Sequence, residues 1–124
     1  MSRGGSFPRR GSVYRATLGP VRGREIALRR PVVLVSNDHM NELAETVLVM
    51  PITSGRYSEY FHWIAVDPPE GGLIVPSRIV TDQIRALDKG RLGRRLGALR
   101  PETMAKIEDA IRDHFGLPEG RVLP

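Results

Sequence analysis

Arg30-Pro31-Val32-Val33-Leu34-Val35-Ser36-Asn37-Asp38 and Val47-Leu48-Val49-Met50-Pro51-Ile52-Thr53-Ser54 decide the fold of this chain. Each holds a short apolar run rich in β-branched residues and closed by turn residues, the pattern of a buried strand. Asp38 to Glu45, between them, is polar and of loop length. An antiparallel hairpin centred on that loop sets Arg30, at the start of one strand, across from Thr53, at the end of the next. A guanidinium fork beside a short hydroxyl donor at one sheet edge makes an anion grip.

Outward from the hairpin, Ser12 to Leu18 reads as a first strand ended by Gly19-Pro20. Residues 20–29 form a loop carrying Arg22, Arg24, Glu25 and Arg29, and residues 55–60 a polar loop. Phe61 to Val66 is a strand, and Asp67-Pro68-Pro69-Glu70-Gly71-Gly72 a turn. Ser77 to Leu87, rich in Ile and Val, reads as one strand. Asp88 to Leu92 suits one helical turn, and Arg94 to Leu99 a last short strand. Pro101 to Phe115 is a helix: Pro101 fits its first position, Glu102 the positive end of its dipole and Gly116 its stop. Met104, Ile107 and Ile111 form its apolar stripe, extended by Phe115. Many strands with one terminal helix predict a mainly β fold, a small barrel or rolled sheet. Residues 10–117 form the expected domain, with a flexible N-terminal tail at 1–9 and a C-terminal tail at 118–124.

The 124 residues suit one domain with one core. The absence of cysteine removes disulfides and thiolate-bound zinc and suits the cytoplasm. Met1 to Arg10 lacks the apolar centre of a signal peptide, and no apolar run approaches membrane-spanning length. The net charge is +5, and of 19 basic residues only Lys89 and Lys106 are lysines. Arginine grips phosphate bidentately and stacks on bases, so the balance points toward a polyanion such as nucleic acid. Arginine also accumulates in chains from GC-rich genomes, which leaves a plain structural domain open. His39, His62 and His114 have no ligand spacing, so no metal site is expected. Gly90, Gly93 and Gly97 lack the strand-to-helix context of a phosphate loop.

Four motifs in order, Gly23-Arg24-Glu25, Arg30-Pro31 with Asn37-Asp38, Pro51-Ile52-Thr53-Ser54 and Asp82-Gln83-Ile84-Arg85-Ala86-Leu87-Asp88-Lys89, resemble the MazF/PemK family of bacterial toxin–antitoxin toxins. The resemblance runs from about Arg10 to Leu117. It implies an SH3-like barrel with attached helices, a homodimer, and a metal-independent endoribonuclease that needs no cofactor and cuts single-stranded RNA or mRNA. It also implies a cognate antitoxin whose acidic, disordered tail covers the basic groove. The family's catalytic Arg and Thr carry over to Arg30 and Thr53, and its loop glutamate to Glu25. Ser77 and Gln83 match positions that contact bases.

The chemistry suits these residues. Cleavage needs a base for the 2′-hydroxyl, donors for the phosphorane and a proton for the 5′-oxygen. Arg30 stabilises the phosphorane, Thr53 donates to a non-bridging oxygen, and Glu25 takes a proton or holds Arg30. Taken singly, each has a plainer reading: a solvated Arg, a β-branched strand Thr, a surface charge cluster. Arg24, where many relatives carry a small polar residue, favours the ionised form of Glu25 and makes it a weaker base. Arg24, Arg29 and Arg85 are read as basic RNA contacts. Tyr57 and Tyr60 are stacking candidates, whereas Phe61 and Trp63 are assigned to the core. Asp82 and Asp88 are read as loop anchors. Two other functions fit the same fold: inhibition of gyrase by protein binding, and RNA binding without cleavage.

Overall fold

The computed structural model describes residues 6–19, 28–54 and 63–119. Seven antiparallel strands form one sheet: β1 (Ser12–Leu18), β2 (Leu28–Leu34), β3 (Thr46–Ser54), β4 (Ile64–Val66), β5 (Ser77–Ile79), β6 (Arg85–Asp88) and β7 (Leu92–Ala98). Two helices accompany them among the described residues, α1 (Asp38–Leu43) and α2 (Pro101–Phe115). The sheet runs β4-β5-β3-β2-β1-β7, with β6 added to β3. It stays open, in keeping with the expected small barrel-like fold.

The hairpin has the register read from the sequence: Val32 faces Pro51, Val33 faces Met50 and Leu34 faces Val49. Side chains alternate across a strand, so each apolar run feeds both faces of the sheet. Val33, Met50 and Ile52 join Val13, Val66, Ile79, Met104 and Ile107 in one core beneath α2. Val32, Leu34, Val47 and Val49 join Ala16, Leu18 and Leu87 in a second core on the other face. This double burial explains why the runs read as continuous apolar segments.

Several boundaries move. Of the loop expected over 38–45, residues 38–43 are helical, because Asn37 accepts from the Met40 amide at 2.8 Å and starts α1. Asn41 is fully buried there, its amide donating to the Ser36 carbonyl at 2.9 Å. β2 begins at Leu28, so Arg29 lies on a strand. The strand expected from Phe61 covers Ile64–Val66 among the described residues; residues 61–62 lie outside them.

The single strand expected over Ser77 to Leu87 is two strands on one edge of β3, separated by a 3-10 turn at Thr81–Gln83. Ile79 faces Ile52 and Arg85 faces Val49, so three residues of β3 span six of its partner. The excursion starts where the Val80 amide donates to the Pro51 carbonyl at 2.8 Å.

α2 has the predicted limits and ends on Gly116 in the left-handed region, φ +67°. Met104 and Ile107 are buried and Ile111 packs against the core, but Phe115, expected to extend the stripe, is 60% exposed. Arg100, the residue before the helix, supplies no side-chain cap. Glu70 of the 3-10 turn Glu70–Gly72 replaces it, its Oε2 accepting from the Arg100 amide at 2.9 Å and the Thr103 hydroxyl at 2.6 Å.

Candidate active site

β2 and β3 carry Arg30 and Thr53 to the same sheet end, as the register requires. Arg30 Nη1 donates to Thr53 Oγ1 at 3.3 Å, and Thr53 Oγ1 donates to the Ser54 carbonyl at 3.3 Å. Both bonds are long, so an anion arriving between guanidinium and hydroxyl replaces weak contacts and not strong ones. Arg30 and Thr53 are half-buried.

Alternation divides the surroundings of this pair. Ala16 faces Arg30 and packs in the second core, which puts Arg30 and Thr53 on that face. Thr17 faces Arg29 and Arg15 faces Pro31, which puts Arg29 and Arg15 on the α2 side. A cleft of about 480 Å³ opens there, with Arg30 at its border. Arg15, Arg29 and Arg94 line it, together with Ser54, Ser77, Leu73, Ile74, Val75 and Leu96. Among the described residues no carboxylate lines it, and three of those that do are arginines. Ile74 and Val75 stand exposed at the cleft, at 89% and 45%.

The predicted residues therefore fall into groups. Ser77 lies in the cleft but is buried, and its hydroxyl donates to the Val75 carbonyl at 2.9 Å. Gln83 is exposed on the 3-10 excursion. Arg85 faces Val49, so it shares the face of Thr53 but lies four residues away along β3, about 13 Å at the usual strand rise. Arg29 is exposed beside the cleft. Glu25, Arg24 and Tyr57 lie outside the described residues, as do Tyr60 and Phe61. Trp63, assigned to the core, is only partly buried; its indole donates to Asp82 at 2.9 Å. Asp82 thus anchors its loop through a side chain and not through backbone amides. Asp88 does accept a backbone bond, from Gly90 at 2.7 Å.

Arg15 and Arg94 carry no local signal in the sequence: Arg15 stands alone within a strand and Arg94 is half of the pair Arg94-Arg95. Only the pairing of β1 with both β2 and β7 brings them beside Arg29. His114 Nε2 lies 3.0 Å from Thr81 Oγ1. Among the described residues no group of three or more His, Cys, Asp or Glu is placed to hold a metal ion. Nor is any helix among them long and apolar enough to cross a membrane.

Comparison with known proteins places this geometry in a family. Residues 9–115 match the model described as the PemK-like, MazF-like toxin of type II toxin–antitoxin systems. Endoribonuclease MazF of Staphylococcus saprophyticus is 39% identical over 112 residues, covering 88% of this chain and 92% of that protein. Endoribonuclease MazF of Staphylococcus epidermidis is 37% identical over 110 residues, with the same coverage of each. A mycobacterial endoribonuclease solved in complex with its cognate antitoxin is 32% identical with a TM-score of 0.71, covering 90% of this chain and 96% of that one.

Proposed function

The chain belongs to the PemK-like, MazF-like toxins of type II toxin–antitoxin systems and is an endoribonuclease of that family; on that premise we propose that it cuts single-stranded RNA at a phosphodiester held by Arg30 and Thr53. The observation that carries this reading is the 3.3 Å contact between Arg30 Nη1 and Thr53 Oγ1 at the end of an arginine-lined cleft.

The substrate's own 2′-hydroxyl is the nucleophile. Its oxygen bonds to phosphorus, the bond to the 5′-oxygen breaks as that oxygen takes a proton from water, and the products are a 2′,3′-cyclic phosphate and a 5′-hydroxyl. Negative charge grows on the non-bridging oxygens as the phosphorane forms, and fixed donors count most at that point. Arg30 supplies the charge-assisted fork and Thr53 a neutral donor. Glu25 is the carboxylate assigned to take the 2′-proton or to hold Arg30.

The cleft on the other face suits the antitoxin. Its arginines match an acidic tail, and Leu73, Ile74, Val75 and Leu96 offer apolar anchorage to a segment that folds on binding. The functional unit is a cytoplasmic homodimer; light scattering that returns the mass of one chain at micromolar concentration overturns the dimer.

The test of the site is cleavage of a long single-stranded RNA in excess chelator. Arg30→Ala and Thr53→Ala each abolish cuts bearing 5′-hydroxyl ends while the thermal midpoint stays near that of the parent. Full activity in both variants sinks the assignment. Growth arrest that survives Arg30→Ala transfers the function to protein binding.

A further inference from the structure

We propose that Arg78 is a second guanidinium of the scissile-phosphate site, standing on the opposite side of Thr53 from Arg30; this rests on the reading of Arg30 and Thr53 given above. Thr53 faces Arg78 directly in the β3–β5 ladder. Ser77 and Ile79, the neighbours of Arg78, are buried on the α2 side, so Arg78 projects to the face that carries Thr53. Arg30, Thr53 and Arg78 thus form a row across three adjacent strands. Strand spacing puts the two arginine Cβ atoms about 10 Å apart, a gap that two long side chains close around one phosphate.

The state of the Arg78 side chain argues for a ligand. Its Nε is buried and has no hydrogen-bond partner among the described residues. A donor shut away from water and left unpaired is costly, and buried polar groups are nearly always satisfied. A structural arginine would be expected beside a carboxylate. The two residues opposite Arg78 are Thr53 and, on β4, Ala65, neither of which carries a charge. A phosphodiester oxygen supplies the missing acceptor. Arg30 and Arg78 then each take one non-bridging oxygen, with the Thr53 hydroxyl between them, and both guanidiniums gain as charge develops on those oxygens.

The test compares wild type, Arg30→Ala, Arg78→Met and Arg78→Lys as full chains. It reads single-turnover cleavage of a long single-stranded RNA, thermal midpoint, and the salt dependence of binding to an uncleavable 2′-deoxy oligonucleotide. Arg78→Met cleaves about 100-fold more slowly, and its midpoint equals or exceeds that of wild type because an unpaired buried donor has gone. Its binding loses about 0.7 from the slope of log affinity against log salt, the share of one phosphate contact on a single strand. Arg78→Lys recovers part of the rate, through charge without the fork. Cleavage by Arg78→Met at the wild-type rate overturns the proposal. So does a slow Arg78→Met whose midpoint falls while Arg78→Lys restores the midpoint and the full rate, since Arg78 is then structural. If Arg30→Ala also cleaves normally, the reading of the site fails; if only Arg78→Met does, Arg78 alone is misassigned.

Discussion

Removing the Glu70 carboxylate should loosen α2 from the sheet without touching the site. Glu70 accepts from the Arg100 amide at 2.9 Å and from the Thr103 hydroxyl at 2.6 Å, and its side chain is only 8% exposed. The Arg100 guanidinium, 3.3 Å away but 69% exposed, adds little. Hydrogen bonds to a charged acceptor contribute about 1.5–3 kcal/mol, and loss of a helix cap costs about 1 kcal/mol; these overlap. Glu70→Ala should therefore cost about 2–3 kcal/mol, or roughly 10 °C in thermal midpoint for a domain of this size. Glu70→Gln keeps an acceptor and should lose about half as much. Burial alone would raise the Glu70 pKa, but the Thr103 hydroxyl, the Arg100 amide and the Arg100 charge outweigh it and hold it below the ordinary 4.5. A carboxyl depressed in the folded state contributes its stabilisation fully above the unfolded pKa and loses it as pH falls through the folded value. The gap between wild type and Glu70→Ala should accordingly be widest near neutrality and shrink on acidification below about pH 4.5. Thermal denaturation monitored by circular dichroism at stepped pH measures it. An unchanged midpoint in Glu70→Ala, or a gap that widens as pH falls, refutes the reasoning.

Three further substitutions probe the sheet and the cleft. Gly72→Ala should destabilise by about 3 kcal/mol, because a Cβ there meets the Leu96 backbone carbonyl and φ is +72°; denaturant unfolding reads it, and a neutral variant would show that β7 yields at this point. Arg15→Ala and Arg94→Ala should each weaken capture of an acidic peptide in the cleft, the more so at low salt, while RNA cleavage keeps its wild-type rate. Unchanged peptide binding with slowed cleavage would move these arginines to the RNA path.

The hairpin was legible because its two apolar runs are buried on both faces and bounded by strong turn residues, and the Arg30–Thr53 opposition came with it. The helix Pro101–Phe115 was legible because its start, stop and stripe are all local signals. What failed depended on partners remote in sequence. Thr81-Asp82-Gln83 has no Gly or Pro to announce a break; the slip against β3 creates it. α1 hid in a polar stretch because its one buried anchor is an asparagine satisfied by Ser36. Arg15, Arg94 and Arg78 are strand arginines whose importance comes only from the strands they face. Glu25, Arg24 and Tyr57, expectations of the family resemblance, lie outside the described residues.

Both edges of β3 are occupied, one by β2 and the other by β6 and then β5. One nine-residue strand therefore holds Thr53, fixes Arg30 through its first neighbour, and pins both ends of the excursion that displays Gln83. If Gln83 reads a base, the distance between the base chosen and the bond cut is set by a single rigid backbone. Variation in exposed segments can then retune which RNA is recognised without shifting the cut, and a change that moves β3 should lose selectivity and catalysis together.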